Sequence, residues 1–290
     1  MRVDVNGTTL WFDVEGPSVV PDGPRMRDRP TIVLVHGGPG TYDHGYLQPW
    51  FGALADAMQV VYLDLRDHGR SGRGDPSAWS FEVCADDIRA FCDSLGIDRP
   101  IVLGHSMGGF IAILYGARHP GHAGGLVLVG TMARFDLDRL TDGFRAAGGD
   151  EIAELARGDY SGERITTDEE WARVFAAFGP HVPDADTLAR RIRNLDVAAV
   201  GMDLMRRLDL RDQLPLIASP TLVCVGELDP VTPVDASREI VDGLRPGIGR
   251  LGVLEGAGHF PWLDDRASFL AIVETFVAEV WSRHQARVRP

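Results

Sequence analysis

Apolar residues form short runs that alternate with amphipathic segments along most of the chain. Runs such as Thr31–Val35 and Pro100–Gly104 are dominated by valine, isoleucine and leucine, as expected of strands buried on both faces. We expect similar strands at 59–64, 125–131, 220–226 and 250–254. Helical patterns separate most of them, as parallel pairing requires. The pattern predicts an α/β chain with a mostly parallel sheet.

The N-terminal residues add two strands of a different kind. Val3 and Val5 precede Asn6-Gly7, and Leu10 and Phe12 follow it, which is a hairpin signal. Together with the six apolar runs, this hairpin brings the expected sheet to eight strands. We interpret residues 16–30, rich in proline and aspartate, as a loop. Near the other end of the chain, Thr232 is expected to cap a helix whose first residue is Pro233.

The strand signal vanishes between Ala133 and about Leu216. This segment is helical and charged, with breaks at Gly148-Gly149 and Gly179-Pro180. We therefore expect a core formed by residues 1–132 and 217–290, and a helical cap formed by residues 133–216. Trp171 and Phe175 belong to an apolar stripe at helical spacing. Docking of the cap on the core is the favoured role for that stripe, and a substrate-binding wall is the alternative.

A serine stands where one predicted strand meets one predicted helix. Ser106 follows the strand 100–104, precedes the helical run Phe110–Arg118, and is flanked by Gly104 and Gly108. A nucleophile on such a sharp turn has a strained backbone, so minimal side chains are needed on either side of it. We expect Ser106 to be the nucleophile.

A serine hydroxyl needs a histidine base and a carboxylate that orients the base. Two later strands lead into suitable residues, which are Asp229 and His259. Both follow the carboxyl ends of their strands, as Ser106 does, so the three side chains can meet at one edge of the sheet. The other candidates for the base are His36, His68 and His105, each of which precedes or adjoins a better explained motif. The other candidates for the acid, Asp64 and Asp67, lie too early in the chain.

Backbone donors for an oxyanion are expected in the segment His36–Gly40, directly after the strand Thr31–Val35. Its glycines allow the backbone to approach a substrate carbonyl closely. We predict that the amides of Gly38 and Met107 form the oxyanion hole, since Met107 directly follows the nucleophile.

These motifs, in this order, resemble the α/β-hydrolase superfamily over nearly the whole chain except its middle. His36–Gly40 and Gly226–Pro233 resemble the corresponding segments of proline iminopeptidases and of the tricorn-interacting aminopeptidase. The resemblance implies an α/β-hydrolase fold with a helical cap. It also implies that Glu227 binds a substrate's free amino terminus, with a second carboxylate from the cap, for which Asp196 and Asp203 are candidates.

Other features favour esterases. Met107 stands where the iminopeptidases commonly have an aromatic residue, and the sequence around Ser106 is typical of esterases and lipases. Three functions stay open: hydrolysis of a small-molecule ester, lactone or amide, release of the first residue of a short peptide, and ligand reception without turnover. Trp262 is expected either to line the substrate pocket or to pack in the core.

Composition narrows the choice of partners. The chain has 290 residues and a formal net charge of −13, which argues against nucleic acid and anionic membranes as partners. No apolar run reaches the length of a membrane span, and the N-terminus lacks the core of a signal peptide, so we expect a cytoplasmic protein.

We expect the three cysteines of the chain to be reduced. We also expect no cofactor and no metal, because His105, His119 and His122 lack carboxylate or cysteine partners at ligand spacing. The oligomeric state is left open.

Overall fold

The computed structural model describes residues 1–288. Eight strands form one sheet, in the order β1-β2-β6-β5-β7-β8-β9-β10. β1–β2 and β2–β6 pair antiparallel and the remaining pairs are parallel. The strands of this sheet are β1 (Arg2–Val5), β2 (Thr8–Glu15), β5 (Thr31–Val35), β6 (Gln59–Asp64), β7 (Ile101–His105), β8 (Gly125–Val129), β9 (Thr221–Gly226) and β10 (Gly249–Leu254).

The expectation of a loop at residues 16–30 is wrong, because these residues contain the hairpin of β3 (Val19–Asp22) and β4 (Arg25–Asp28). Most residues of these two strands are exposed, and Met26 is 64% exposed. A solvated ribbon does not need the alternation of apolar and polar residues that marks a half-buried strand, so the sequence pattern missed it.

Helices cover the sheet and fill the segment between β8 and β9. Those outside that segment are α1 (Gln48–Phe51), α2 (Phe81–Leu95), α3 (Met107–Arg118), α8 (Val234–Gly243), α9 (Pro261–Asp264) and α10 (Arg266–Val288). Short 3₁₀ helices lie at His44–Tyr46, Gly52–Asp56, Pro76–Ala78 and Arg211–Leu216. No helix within residues 1–288 combines the length and apolarity needed to cross a membrane.

The ends of α2 show why the sequence places it where it does. The Ser80 hydroxyl accepts a hydrogen bond from Val83 N, which satisfies a free amide of the first turn. Gly96 ends the helix with φ 64°, a left-handed conformation that glycine adopts without strain. Between these two residues, Phe81, Ile88 and Phe91 are buried, whereas Leu95 in the last turn is exposed.

Residues 133–216 contain α4 (Leu137–Ser161), α5 (Asp168–Ala176), α6 (Ala185–Ala189) and α7 (Leu195–Arg206). The two ends of this segment lie side by side, because Leu210 N donates to Ala133 O at 2.7 Å and Phe135 N to Leu208 O at 3.0 Å. Gly149, with φ 82°, interrupts α4 at one of the breaks expected from the sequence. The chain therefore leaves the sheet after β8 and returns at the same place before β9.

Candidate active site

Ser106 occupies a strained turn between β7 and α3. Its φ of 53° is in a region that residues with a side chain seldom adopt. A Cβ atom on Gly104 would lie 2.1 Å from Gly108 O, and one on Gly108 would lie 2.3 Å from Val35 O. Gly104 thus allows β7 to approach α3 this closely, and Gly108 allows α3 to approach the end of β5.

His259 and Asp229 are joined by a hydrogen bond of 2.9 Å between Nδ1 and Oδ2. Because a carboxylate accepts, Nδ1 carries the proton and Nε2 is left with a lone pair when the ring is neutral. Burial alone would raise the pKa of Asp229, but the His259 charge and hydrogen bonds from His259 and Thr232 outweigh burial and lower it. This carboxyl therefore stays ionised at neutral pH.

The expected helix cap at Thr232 is wrong. α8 begins at Val234, and the Thr232 hydroxyl instead donates to Asp229 Oδ2 at 2.7 Å. The amides of Val231 and Thr232 donate to the other carboxylate oxygen. The turn after β9 thus hydrogen-bonds to Asp229, which fixes the carboxylate opposite His259.

Ser106 and His259 line the same cavity. Within residues 1–288, no hydrogen bond joins the Ser106 hydroxyl to the His259 ring. Hydrogen bonds between a nucleophile and its base are often long when no substrate is present. The structure thus brings the expected base and nucleophile to one cavity.

Gly38 and Met107, whose amides are expected to hold an oxyanion, also line this cavity. Gly38 has φ 61°, and Met107 is the first residue of α3, where a helix leaves its amides without an internal partner. In the described part of the chain, neither amide donates to a protein acceptor. His36 Nδ1 donates to Gly37 O at 2.9 Å, so in the trans peptide the Gly38 N–H points the opposite way.

The rival histidines have both ring nitrogens engaged. His36 accepts from Leu65 N, His68 accepts from Gly40 N and donates to Arg66 O, and His105 lies between Tyr46 and the His259 carbonyl. Burial lowers the pKa of His68 to about 3 and lowers those of His36 and His105. These rings are neutral hydrogen-bonding groups of the scaffold.

The cavity has a volume of about 430 Å³ and walls from both parts of the chain. Eight aromatic and four methionine residues are among those that line it, including the expected Trp171 and Phe175 of α5. The methionines are Met107, Met132, Met202 and Met205, four of the seven in the chain. Since methionine is flexible and polarisable, these walls can adapt to ligands of different shape.

Two expected substrate-binding residues lie outside the cavity lining. Trp262 is fully buried and packs against Phe51, Phe269 and His105, with ring centroids 4.7–5.7 Å away. Glu227 is exposed, and its carboxylate accepts from Gly256 N at 3.0 Å. Glu227 therefore stabilises the turn after β10, and the amine-binding role implied by the resemblance stays a prediction for this residue.

The cavity lining also lacks the two carboxylates that were candidates to bind an amine together with Glu227, and it contains two others. Asp196 and Asp203 lie outside the lining, whereas Asp159 at the end of α4 and Asp168 at the start of α5 are part of it. Arg193 lies on the same lining, close in sequence to α7. No spacing motif marks these side chains, so sequence reasoning missed them.

One group of side chains within residues 1–288 has the geometry to hold a metal ion. Asp43, His44 and Asp64 place possible ligand atoms within 4.8 Å of one another. Asp64 already accepts from His44 Nδ1 and from the amides of His44 and Arg70, and Asp43 from the amides of Gly45 and Ile192. These hydrogen bonds hold the loops in place and compensate the two carboxylates for the loss of water on burial.

Comparisons with known proteins agree with the fold described above. A family model described as the alpha/beta hydrolase fold matches residues 30–265. The chain is 29% identical to a pimeloyl-[acyl-carrier protein] methyl ester esterase of Neisseria meningitidis, over 88% of this chain and 79% of that protein. It is 30% identical to a monoacylglycerol lipase of Mycolicibacterium smegmatis (88% and 87% covered). It is 26% identical to the proline iminopeptidase PfmaB of Pestalotiopsis fici (89% and 92% covered).

Proposed function

Because this chain belongs to the alpha/beta hydrolase family, we propose that it hydrolyses carboxylic esters or lactones of small molecules through an acyl-enzyme on Ser106. One observation carries the proposal: the His259–Asp229 pair opens onto the cavity that Ser106 lines, beside two amides without a protein acceptor within residues 1–288. The esterase and lipase relatives support ester substrates.

The proposed reaction begins when His259 Nε2 takes the Ser106 proton. The serine oxygen attacks the carbonyl carbon, and the amides of Gly38 and Met107 donate to the resulting oxyanion. His259 returns the proton to the alcohol oxygen as the carbon–oxygen bond breaks. Water then attacks the acyl-enzyme with His259 again as base, which releases the acid and restores Ser106. Asp229 stays ionised throughout and stabilises the imidazolium.

We propose that residues 133–216 act as a cap that selects the substrate, over a core of residues 1–132 and 217–290. The paired ends of this segment and its contribution of Trp171 and Phe175 to the cavity support this division. The cap also contacts the oxyanion loop, because Asn194 N donates to Gly40 O at 2.7 Å. Both proposed roles of the apolar stripe are compatible with this arrangement, since Val174 packs in the interior while Phe175 faces the cavity.

A second candidate is an aminopeptidase that recognises a free amine. Asp159 and Asp168 favour it, because both line the cavity and neither forms an ion pair within residues 1–288. An ammonium group of a substrate would donate hydrogen bonds to either carboxylate. The similarity to a proline iminopeptidase supports the same candidate.

A panel of nitrophenyl esters, lactones and aminoacyl nitroanilides separates these candidates, with Ser106→Ala as the blank. Each nitroanilide is tested with its amine free and acetylated. We expect turnover of esters that carry no amine. Turnover confined to substrates with a free amine, and lost in Asp159→Asn, would replace the ester proposal by the aminopeptidase. Tight binding without turnover of any compound would indicate a ligand receptor.

A further inference from the structure

A buried chain of hydrogen bonds connects the oxyanion loop to the backbone of His259. Gly37 N donates to Tyr46 Oη at 2.8 Å, and Tyr46 Oη lies 2.8 Å from His105 Nδ1. On the other side of that ring, His105 Nε2 lies 2.9 Å from the carbonyl oxygen of His259. We call Tyr46 and His105, with these three hydrogen bonds, the relay.

The two end groups of the relay, the Gly37 N–H and the His259 carbonyl, determine where each proton lies. The His259 carbonyl can only accept, so His105 Nε2 carries a proton and donates it. Burial lowers the pKa of His105 well below its usual value, so the ring is neutral and its Nδ1 is an acceptor. Tyr46 O–H therefore donates to Nδ1, while its oxygen accepts from Gly37 N. All three bonds run in one direction and satisfy every group.

The relay lies beside the atoms proposed to react. A Cβ on Gly37 would lie 3.0 Å from Ser106 Cβ and 3.2 Å from His105 Nδ1, so the oxyanion loop contacts the turn of the nucleophile directly. The His105 ring lies 4.8 Å from that of His259 and 4.7 Å from that of Trp262, measured between centroids. Trp262, which does not line the cavity, thus helps to confine the relay.

We propose that Tyr46 and His105 are positioning residues that hold the amide of Gly38 in register with Ser106 and His259. The inference rests on the proposed function, because it assigns a donor to an oxyanion. Tyr46 fixes the peptide before Gly37 and His36 fixes the one after it, so the direction of the Gly38 N–H is set from both sides. Such fixed donors act mainly on the transition state, where the negative charge develops.

The experiment compares Tyr46→Phe with Tyr115→Phe. Tyr115 is a matched control, because its hydroxyl is also hydrogen-bonded to a histidine, His122, but outside the cavity lining. We expect Tyr46→Phe to lower kcat about tenfold or more, since loss of a whole oxyanion donor typically costs about 10²–10³. KM should change less than about twofold, and affinity for a boronic acid that forms a tetrahedral adduct should fall with kcat. Tyr115→Phe should change none of the three.

A second pair of variants guards against misfolding at this buried site. His105→Gln retains an N–H that can reach the His259 carbonyl, whereas His105→Ala does not, so the glutamine variant should recover part of the boronic acid affinity per folded molecule. Affinity and kcat in Tyr46→Phe equal to those of Tyr115→Phe would overturn the relay proposal while leaving the proposed function intact. A wild-type protein without any hydrolysis would refute the proposed function itself, and the relay proposal with it.

Discussion

Two regions of the molecule form the cavity in different ways. One is the rim of the sheet, at the carboxyl ends of the strands, where Ser106, Asp229 and His259 lie; the other is the proposed cap, residues 133–216. At the rim, Asp229 and His259 are 3% and 2% exposed, and hydrogen bonds fix their side chains and those of their neighbours. In the segment, the contribution to the cavity is mostly apolar bulk, and Asp168 and Arg193 are exposed charges. Hydrogen bonds at the rim thus fix the side chains proposed to react, whereas side chains from the segment mainly give the cavity its shape.

This difference implies a division of labour. Substitutions at the rim should alter the reaction on every substrate, because they change groups that act on the common carbonyl. Substitutions in the cap should alter which substrate is preferred, because they change contacts that differ between acyl chains. A cap variant that impaired all substrates equally would break the comparison.

The largest effect is expected at the rim from Asp229→Asn. Without the carboxylate, His259 loses both its fixed tautomer and the charge that stabilises its cation, and kcat should fall about 10⁴-fold. Steady-state kinetics on the best ester measures this loss. Asp242→Asn, at an exposed position of α8, is the control and should retain full activity. A loss of less than tenfold in Asp229→Asn would count against its role.

The second effect concerns the close approach behind Ser106. Gly104→Ala places a Cβ 2.1 Å from Gly108 O, so we expect the free energy of unfolding to fall by about 2–4 kcal/mol. Gly252→Ala in β10 is a matched strand control, since its Cβ meets nothing nearer than 3.6 Å. That variant should stay within about 0.5 kcal/mol of wild type. Urea denaturation measures both, and equal stability of the two variants would contradict the steric account.

Within the cap, Phe175→Ala should change substrate preference. Removing a ring from the cavity wall should shift the ratio of kcat/KM between long-chain and acetyl esters about tenfold, with little change for acetate. Val174→Ala is the neighbour control, because Val174 is buried on the same helix but outside the cavity lining. It should lower stability without moving the ratio. A uniform loss over all chain lengths in Phe175→Ala would assign that residue to the chemistry instead.

The last effect, spread over several pH units, is the pH dependence of stability. His68 has a pKa of about 3 when folded and about 6.5 when unfolded. Between these values the unfolded chain binds the extra proton, so stability falls as pH falls through this window, by up to about 1.4 kcal/mol per pH unit. His68→Gln should lower the slope of the unfolding free energy against pH by the contribution of one proton. A slope in His68→Gln equal to that of the wild type would contradict the role of burial.

The sequence predicted the rim far better than the cap, for physical reasons. Buried parallel strands require continuous apolar runs, and a strained turn requires Gly104 and Gly108, so both leave local signals. The Thr232 hydroxyl bonds its near neighbour Asp229 instead of capping a helix, which is a choice between two local partners. The bond of Tyr46 to His105 depends on how distant segments meet. The same is true of Asp159, which faces the cavity without any motif, and of Glu227, whose neighbour Gly256 belongs to another turn.

Mass spectrometry after brief treatment with a fluorophosphonate shows whether Ser106 is an activated nucleophile. The reagent reacts with a serine that is activated by a base and placed beside an oxyanion hole. The account predicts a single adduct, located on the peptide that contains Ser106, absent in Ser106→Ala and much slower to form in Asp229→Asn. An unmodified wild-type protein, or an adduct on another residue while Ser106 stays free, would contradict it.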